Sequence, residues 1–217
     1  MARHDSGGRS GYSRLMSTAL KIPSYADIEA LPEWLTGEIL GGQLVVSPRP
    51  AKPHLRAATR LGYQLGGFDH DGDDGGPGGW HLFVEPELHL DADSDFPVVV
   101  PDLAAWRHTT LPVVDDDEAA FSVRPDWVCE VLSPRTAVHD RVLKMPFYAR
   151  AGVGHLWLAD PVLRTLEVYR NVGAQWLAVG AWEGDALVRA EPFEALELPL
   201  KSLWLPKRPA APPSETK

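Results

Sequence analysis

Trp127-Val128-Cys129-Glu130-Val131-Leu132-Ser133-Pro134-Arg135-Thr136 is the stretch on which the reading of the fold turns. Trp127–Leu132 is a short apolar run of strand length, broken by one glutamate. Strand alternation sets Glu130 on the same face as Val128 and Leu132. A carboxylate inside an apolar strand must be paired, protonated or bound to a metal, because an isolated buried charge costs several kcal/mol. A helix is predicted from about Thr136 to Ala151, and a further strand over His155–Leu158. Strand, helix and strand in succession point to an α/β chain with a central sheet.

Working outward, Trp80–Leu90 and Val98–Trp106 read as strands before it, the latter separated from Trp127 by the acidic loop Asp115–Glu118. Leu166–Arg170 and Gln175–Trp182 follow as strands joined by short turns. Nearer the N-terminus a short helix is expected from Ser24, as N-cap, to Leu31. A hairpin follows, Gly37–Leu40 and Gln43–Ser47 about a Gly41-Gly42 turn. Pro53–Leu65 is the first substantial helix, with Leu55, Ala58, Leu61 and Leu65 as its apolar face. Asp69–Gly79, rich in Asp and Gly, reads as a mobile loop. The order predicts one α/β (α+β) domain over residues 21–205 with a mixed sheet, an N-terminal hairpin and C-terminal antiparallel strands. Residues 1–20 and 206–217 read as disordered tails.

Composition bounds the function. The chain has 217 residues, 44% of them hydrophobic and 24% charged, which describes one ordinary globular domain. Its single cysteine, Cys129, excludes an internal disulfide and a cysteine zinc site, which suits a reducing cytosol. No apolar run reaches about 18 residues, so no membrane span is expected, and no secretory signal is seen. A cytoplasmic protein is the expectation. The net charge of −9 speaks against a nucleic-acid partner, since Lys and Arg supply most of the non-specific affinity for phosphate. Charge can nevertheless be local, and carboxylates that hold metal ions enter the same sum as negative.

Asp102 follows Pro101 in a strand otherwise made of Val98, Val99, Val100, Leu103 and Ala104. Asp140, Lys144 and Tyr148 fall on one helical stripe at i, i+4 and i+8. That stripe is either an exposed Asp–Lys pair or the device that delivers a lysine to two strand carboxylates, where it would stabilise a charged transition state. Pro146, inside the same helix, should kink it. His54 lies near the apolar face of the Pro53–Leu65 helix, as a satisfied core histidine or as a group beside Glu38 that positions water or phosphate. Lys52, Arg56 and Arg60 form a basic stripe on the opposite face, with Arg49 just before it. Such a stripe is a solvated face or a track for a phosphate backbone. Trp34, Trp80, Trp106, Trp127 and Trp157 are expected in packing. His81, His89, His108 and His155 show no metal-ligand spacing.

Taken in order, Pro101-Asp102-Leu103, Glu130-Val131-Leu132-Ser133-Pro134, Asp140-Arg141-Val142-Leu143-Lys144 and Tyr148-Ala149-Arg150-Ala151-Gly152-Val153 resemble the Uma-two family of endonucleases. That family lies within the PD-(D/E)XK superfamily. Gly37-Glu38-Ile39-Leu40-Gly41-Gly42, Ser47-Pro48, Pro50, His54 and Trp157-Leu158-Ala159-Asp160-Pro161 agree, so the likeness runs over roughly residues 24–205. The resemblance implies a restriction-endonuclease-like fold, with Asp102 and Glu130 as ligands of Mg²⁺ or Mn²⁺. In the usual superfamily pattern a lysine stands two residues after the second acid, but Leu132 occupies that place here. The resemblance is to the arrangement in which a helix lysine, Lys144, takes that role. Glu38 matches the family's N-terminal glutamate.

The implied function is metal-dependent hydrolysis of phosphodiester bonds in nucleic acid, with DNA the expected substrate. The catalytic set would be Asp102, Glu130, Lys144, Glu38 and His54, and the nucleic-acid contacts Arg49, Lys52, Arg56 and Arg60. A homodimer would suit two cuts across a duplex. The alternative keeps the fold and drops the chemistry, leaving a binding or regulatory module with a decayed site. Another hydrolase using the acid pair, for instance on glycosides, fits less well with the lysine.

Overall fold

The computed structural model describes residues 22–70, 77–90 and 97–206. The expected tails, except Pro206, and residues 71–76 of the expected mobile loop lie outside them. The chain runs α1 (Tyr25–Glu29), β1 (Leu35–Leu40), β2 (Gln43–Pro48), α2 (Lys52–Leu65), β3 (Trp80–Val84), β4 (Leu88–His89), β5 (Val98–Val99), β6 (Leu103–Arg107) and β7 (Trp127–Val131). Then come α3 (Ala137–His139), a π-helical turn over Asp140–Lys144, α4 (Met145–Arg150), β8 (His155–Asp160), β9 (Thr165–Val172), β10 (Gln175–Glu183), β11 (Leu187–Val188) and β12 (Leu198–Pro199).

Six strands form the central sheet in the order β10-β9-β8-β7-β6-β3, and four form a smaller sheet, β2-β1-β5-β4. In the larger sheet β7 and β8 are parallel, joined across the helical segment, while the other neighbours are antiparallel. The sheet is therefore mixed, as expected. The hairpin turns tightly because Gly41 and Gly42 sit at φ 59° and 70°. Those angles are open to glycine and set the handedness that matches strand twist.

Alternation along β6 and β7 divides the core. Leu103, Ala105, Trp127, Cys129 and Val131 face one layer, with Ala57, Leu61 and Leu65 of α2 and Phe193 and Trp204 from the C-terminal segment. Ala104, Trp106, Val128 and Leu132 face the other, with Phe147, Tyr148, Leu40 and Val99. The larger sheet is thus covered on one side by α2 and on the other by α4 and the smaller sheet. Both faces being buried explains why β7 reads as a nearly continuous apolar run.

Several expectations are corrected. Val98–Trp106 is two strands in different sheets, parted at Val100-Pro101-Asp102, where proline lacks the N–H a ladder needs. Trp80–Leu90 likewise breaks at Glu85, which adopts φ 52°. The buried face of α2 is His54, Ala57, Leu61 and Leu65, and Leu55 is 49% exposed. The helix after Thr136 carries its irregularity as a π turn before Pro146. Pro146 sits within the first two positions of α4, where a missing N–H costs little. Trp34, expected in packing, is 63% exposed.

Candidate active site

The seam between the two sheets is a cleft of about 410 Å³. Asp102 enters it just before β6, Glu130 from β7, Glu38 from β1, His54 from the first turn of α2, and Asp140 and Lys144 from the π turn. Leu103 pairs with Cys129, which brings the residues flanking that pair, Asp102 and Glu130, to neighbouring places on adjacent strands.

Each charge has a defined hold. Val131 N–H donates to Asp102 Oδ2 at 2.6 Å, and His54 Nε2 lies 3.0 Å from Asp102 Oδ1. The other ring nitrogen of His54, Nδ1, is buried with no hydrogen-bond partner among the described residues. Lys144 Nζ is 2.9 Å from both Glu38 Oε1 and Glu130 Oε1, and donates to Val100 O at 3.1 Å. Glu38 Oε1 also accepts from Val100 N–H at 2.7 Å. Tyr148 O–H donates to Glu130 Oε1 at 2.7 Å. Glu130 and Lys144 are 2% and 3% exposed.

Burial alone would raise the Glu38 carboxyl, but Lys144, His139 and the Val100 amide outweigh it and lower the pKa to about 2. Lys144 is buried too, which disfavours its charge. Glu130 and Glu38 more than compensate and hold it well above its ordinary value, so it is an ammonium at any working pH. Burial pushes Glu130 well above the usual carboxylate range; Lys144 pulls it back, and the nearby Asp140, Asp102 and Glu38 push it up again. Asp140 is raised by burial as well. Glu38 and Glu130 share one ammonium while Asp102 and Asp140 add further negative charge. Such an oxygen-rich, charge-deficient donor set fits a hard divalent cation, which takes one or two carboxylates and keeps several waters.

The five expected catalytic residues, Glu38, His54, Asp102, Glu130 and Lys144, all line this cleft. His54 meets Asp102 rather than Glu38; the histidine nearest Glu38 is His139, at 3.7 Å from Oε2. Among the expected nucleic-acid contacts, Arg49 lines the cleft and Lys52 and Arg56 are exposed on α2. Arg60 is half-buried, with its guanidinium 4.7 Å over the Tyr63 ring. Sequence reasoning missed Asp140, Tyr148 and His139 as members of the site, and Arg135 at its lip. The signal for Asp140 and Tyr148 was the stripe they share with Lys144, which is buried here.

The mixed sheet, the acids at its seam and the helix lysine define an α/β protein of restriction-endonuclease-like architecture. A crystal structure described as a putative nuclease from Anabaena variabilis shares that fold, with a TM-score of 0.61 at 23% identity, over 77% of this chain and 89% of that one. The chain belongs to the Uma-two (Uma2) family, whose description is "Putative restriction endonuclease"; the family model matches residues 23–201. None of the curated proteins matches it.

Proposed function

We propose that the protein is an endonuclease that hydrolyses phosphodiester bonds with Mg²⁺ or Mn²⁺, and that its substrate is DNA. The observation that carries this reading is the placement of Asp102 and Glu130 at the seam with Lys144 held between Glu130 and Glu38. Asp102 and Glu130 would hold the cation, which when bound supplies Lewis acidity at the phosphoryl group. Lys144, a permanent point charge, faces the negative charge that develops on the phosphate oxygens and does not act as a base. Glu38 pins that ammonium through its own anchor on the Val100 N–H. Tyr148, Val131 N–H and His54 fix the carboxylate oxygens of Glu130 and Asp102, so they need not reorganise when substrate arrives.

Local charge answers the objection from net charge. Among the described residues, Arg49, Lys52, Arg56 and Arg135 have no ion pair, hydrogen bond or ring contact, whereas the basic residues elsewhere are engaged. All four lie at the cleft or on the turns of α2 that leave it, where desolvating them against phosphate breaks no existing pair.

The test is incubation of the purified chain with plasmid, linear duplex and single-stranded DNA and RNA, in Mg²⁺, Mn²⁺ or EDTA, beside Glu130→Gln. Metal-dependent cutting that the variant loses is the expected result. Absence of cutting together with absence of metal binding by calorimetry overturns the reading.

A further inference from the structure

The site acids lie buried or half-buried in the cleft. Glu130 and Lys144 are almost inaccessible from outside. The cleft's 410 Å³ falls in the range of pockets that enclose a small molecule, about 300–1,000 Å³, which matches a nucleotide or two. Duplex DNA is a stiff rod with a persistence length of about 150 base pairs and presents its backbone from a convex surface. A single strand bends freely into a concave site and exposes its bases to side chains.

One exposed residue, at the end of the hairpin that lines the cleft, answers to an exposed base. Trp34 is 63% exposed, while the other seven tryptophans are buried or half-buried. It lies in the turn that enters β1, a strand whose Thr36 and Glu38 line the cleft. Leu35 pairs with Pro48, so the turn that carries Trp34 and the cleft residue Arg49 flank the same end of the hairpin. An exposed indole and a cation without a partner, at the same end of a hairpin that lines the cleft, match the requirements of single-strand binding: a ring for base stacking and a charge for the adjoining phosphate. Arg135 supplies a second such charge on the wall built by the residues after β7.

We propose that this rim binds an unpaired strand of nucleic acid, with Trp34 stacked on a base and Arg49 and Arg135 on its phosphates, so that the substrate is single-stranded or locally unpaired. The inference rests on the reading of the cleft as a nucleic-acid site but requires no cleavage.

The experiment measures fluorescence anisotropy of a labelled oligothymidine, and of a duplex of the same length, with the full chain in Ca²⁺, which takes the same oxygen donors. The expected result is binding of the single strand at least about tenfold tighter than the duplex. Trp34→Ala should weaken single-strand binding by about tenfold, and Trp34→Phe should keep most of it. Because Trp34 is exposed, the thermal melt of both variants should match the wild type. Equal or tighter binding of the duplex overturns the proposal, and so does a Trp34→Ala chain that binds the single strand unchanged. Binding through Trp34 with neither cleavage nor metal binding in Mg²⁺ or Mn²⁺ would sink the nuclease reading and leave this one standing. Cleavage with a silent Trp34 would do the reverse.

Discussion

Lys144 is the residue to which the other site charges are tuned, and its removal is not a clean probe. Lys144→Ala leaves Glu38 and Glu130 buried without their cation, and should destabilise the chain by about 3–5 kcal/mol in chemical denaturation. Glu130→Gln keeps the acceptor for Tyr148 and removes one like charge, while Lys144 retains Glu38. Its melting temperature in EDTA should equal or exceed that of the wild type, with cutting lost. A fall of several degrees would contradict the raised proton affinity of Glu130. Glu38 gives the opposite sign. Its carboxyl sits at about 2 against an ordinary 4.5, so the stability it contributes is complete above pH 4.5 and is lost as pH falls towards 2. The gap in melting temperature between wild type and Glu38→Gln should be constant above pH 4.5 and close below it; a gap that widens in acid would refute the assignment. At this scale Glu130 and Asp102 were legible because a carboxylate amid valines needs a partner. Asp140 and Tyr148 were half legible: their spacing with Lys144 showed a stripe, but spacing does not say whether a stripe faces water or a cleft. His139 left no trace, because its approach to Glu38 joins residues 101 positions apart in the chain.

Among the elements, the segment from Ala137 to Arg150 does the most positioning. Its π turn widens the helix locally and lets Asp140 and Lys144 reach the cleft while Phe147 and Tyr148 pack under β7. Val142 lies on that turn and is exposed, so deleting it removes a residue without removing a contact from the core. The deletion should restore an ordinary helix and remove the local widening that brings Asp140 and Lys144 into the cleft. Circular dichroism should stay near wild type while cleavage falls at least about a hundredfold; undiminished cleavage would show that the π turn is incidental. The π turn itself was not legible, since the sequence pointed to Pro146 and the chain placed its irregularity just before it, which leaves Pro146 where a missing N–H costs little. The break at Val100-Pro101-Asp102 was hidden by the apolar run around it, although Pro101 marked the place. The face of α2 was misread by one position because Leu55 is more hydrophobic than Ala57, whereas burial followed the tight approach of the helix to the sheet. The hairpin turn, by contrast, was legible, because Gly41-Gly42 permits little else, although β1 begins at Leu35 and β2 runs on to Pro48.

For the whole molecule, the charge of −9 and the proposed anionic ligand are reconciled by where the unpaired cations lie among the described residues. That has a measurable signature. The slope of log binding constant against log salt should be shallow for so acidic a protein, and Lys52→Ala or Arg56→Ala should each reduce it by about 0.7 for a single strand. Arg189→Ala, far from the cleft and already paired with Glu197, should leave it unchanged. Equal effects at all these positions would mean that binding is diffuse. The seam architecture has a further consequence, for protein synthesis. By the time Lys144 has been translated, every residue of the proposed catalytic set exists. Yet β7 then lacks its parallel neighbour β8, and Phe193 and Trp204 have not been made to seal the core beneath it. A growing chain on the ribosome therefore carries the proposed catalytic set without its alignment until the last strands close.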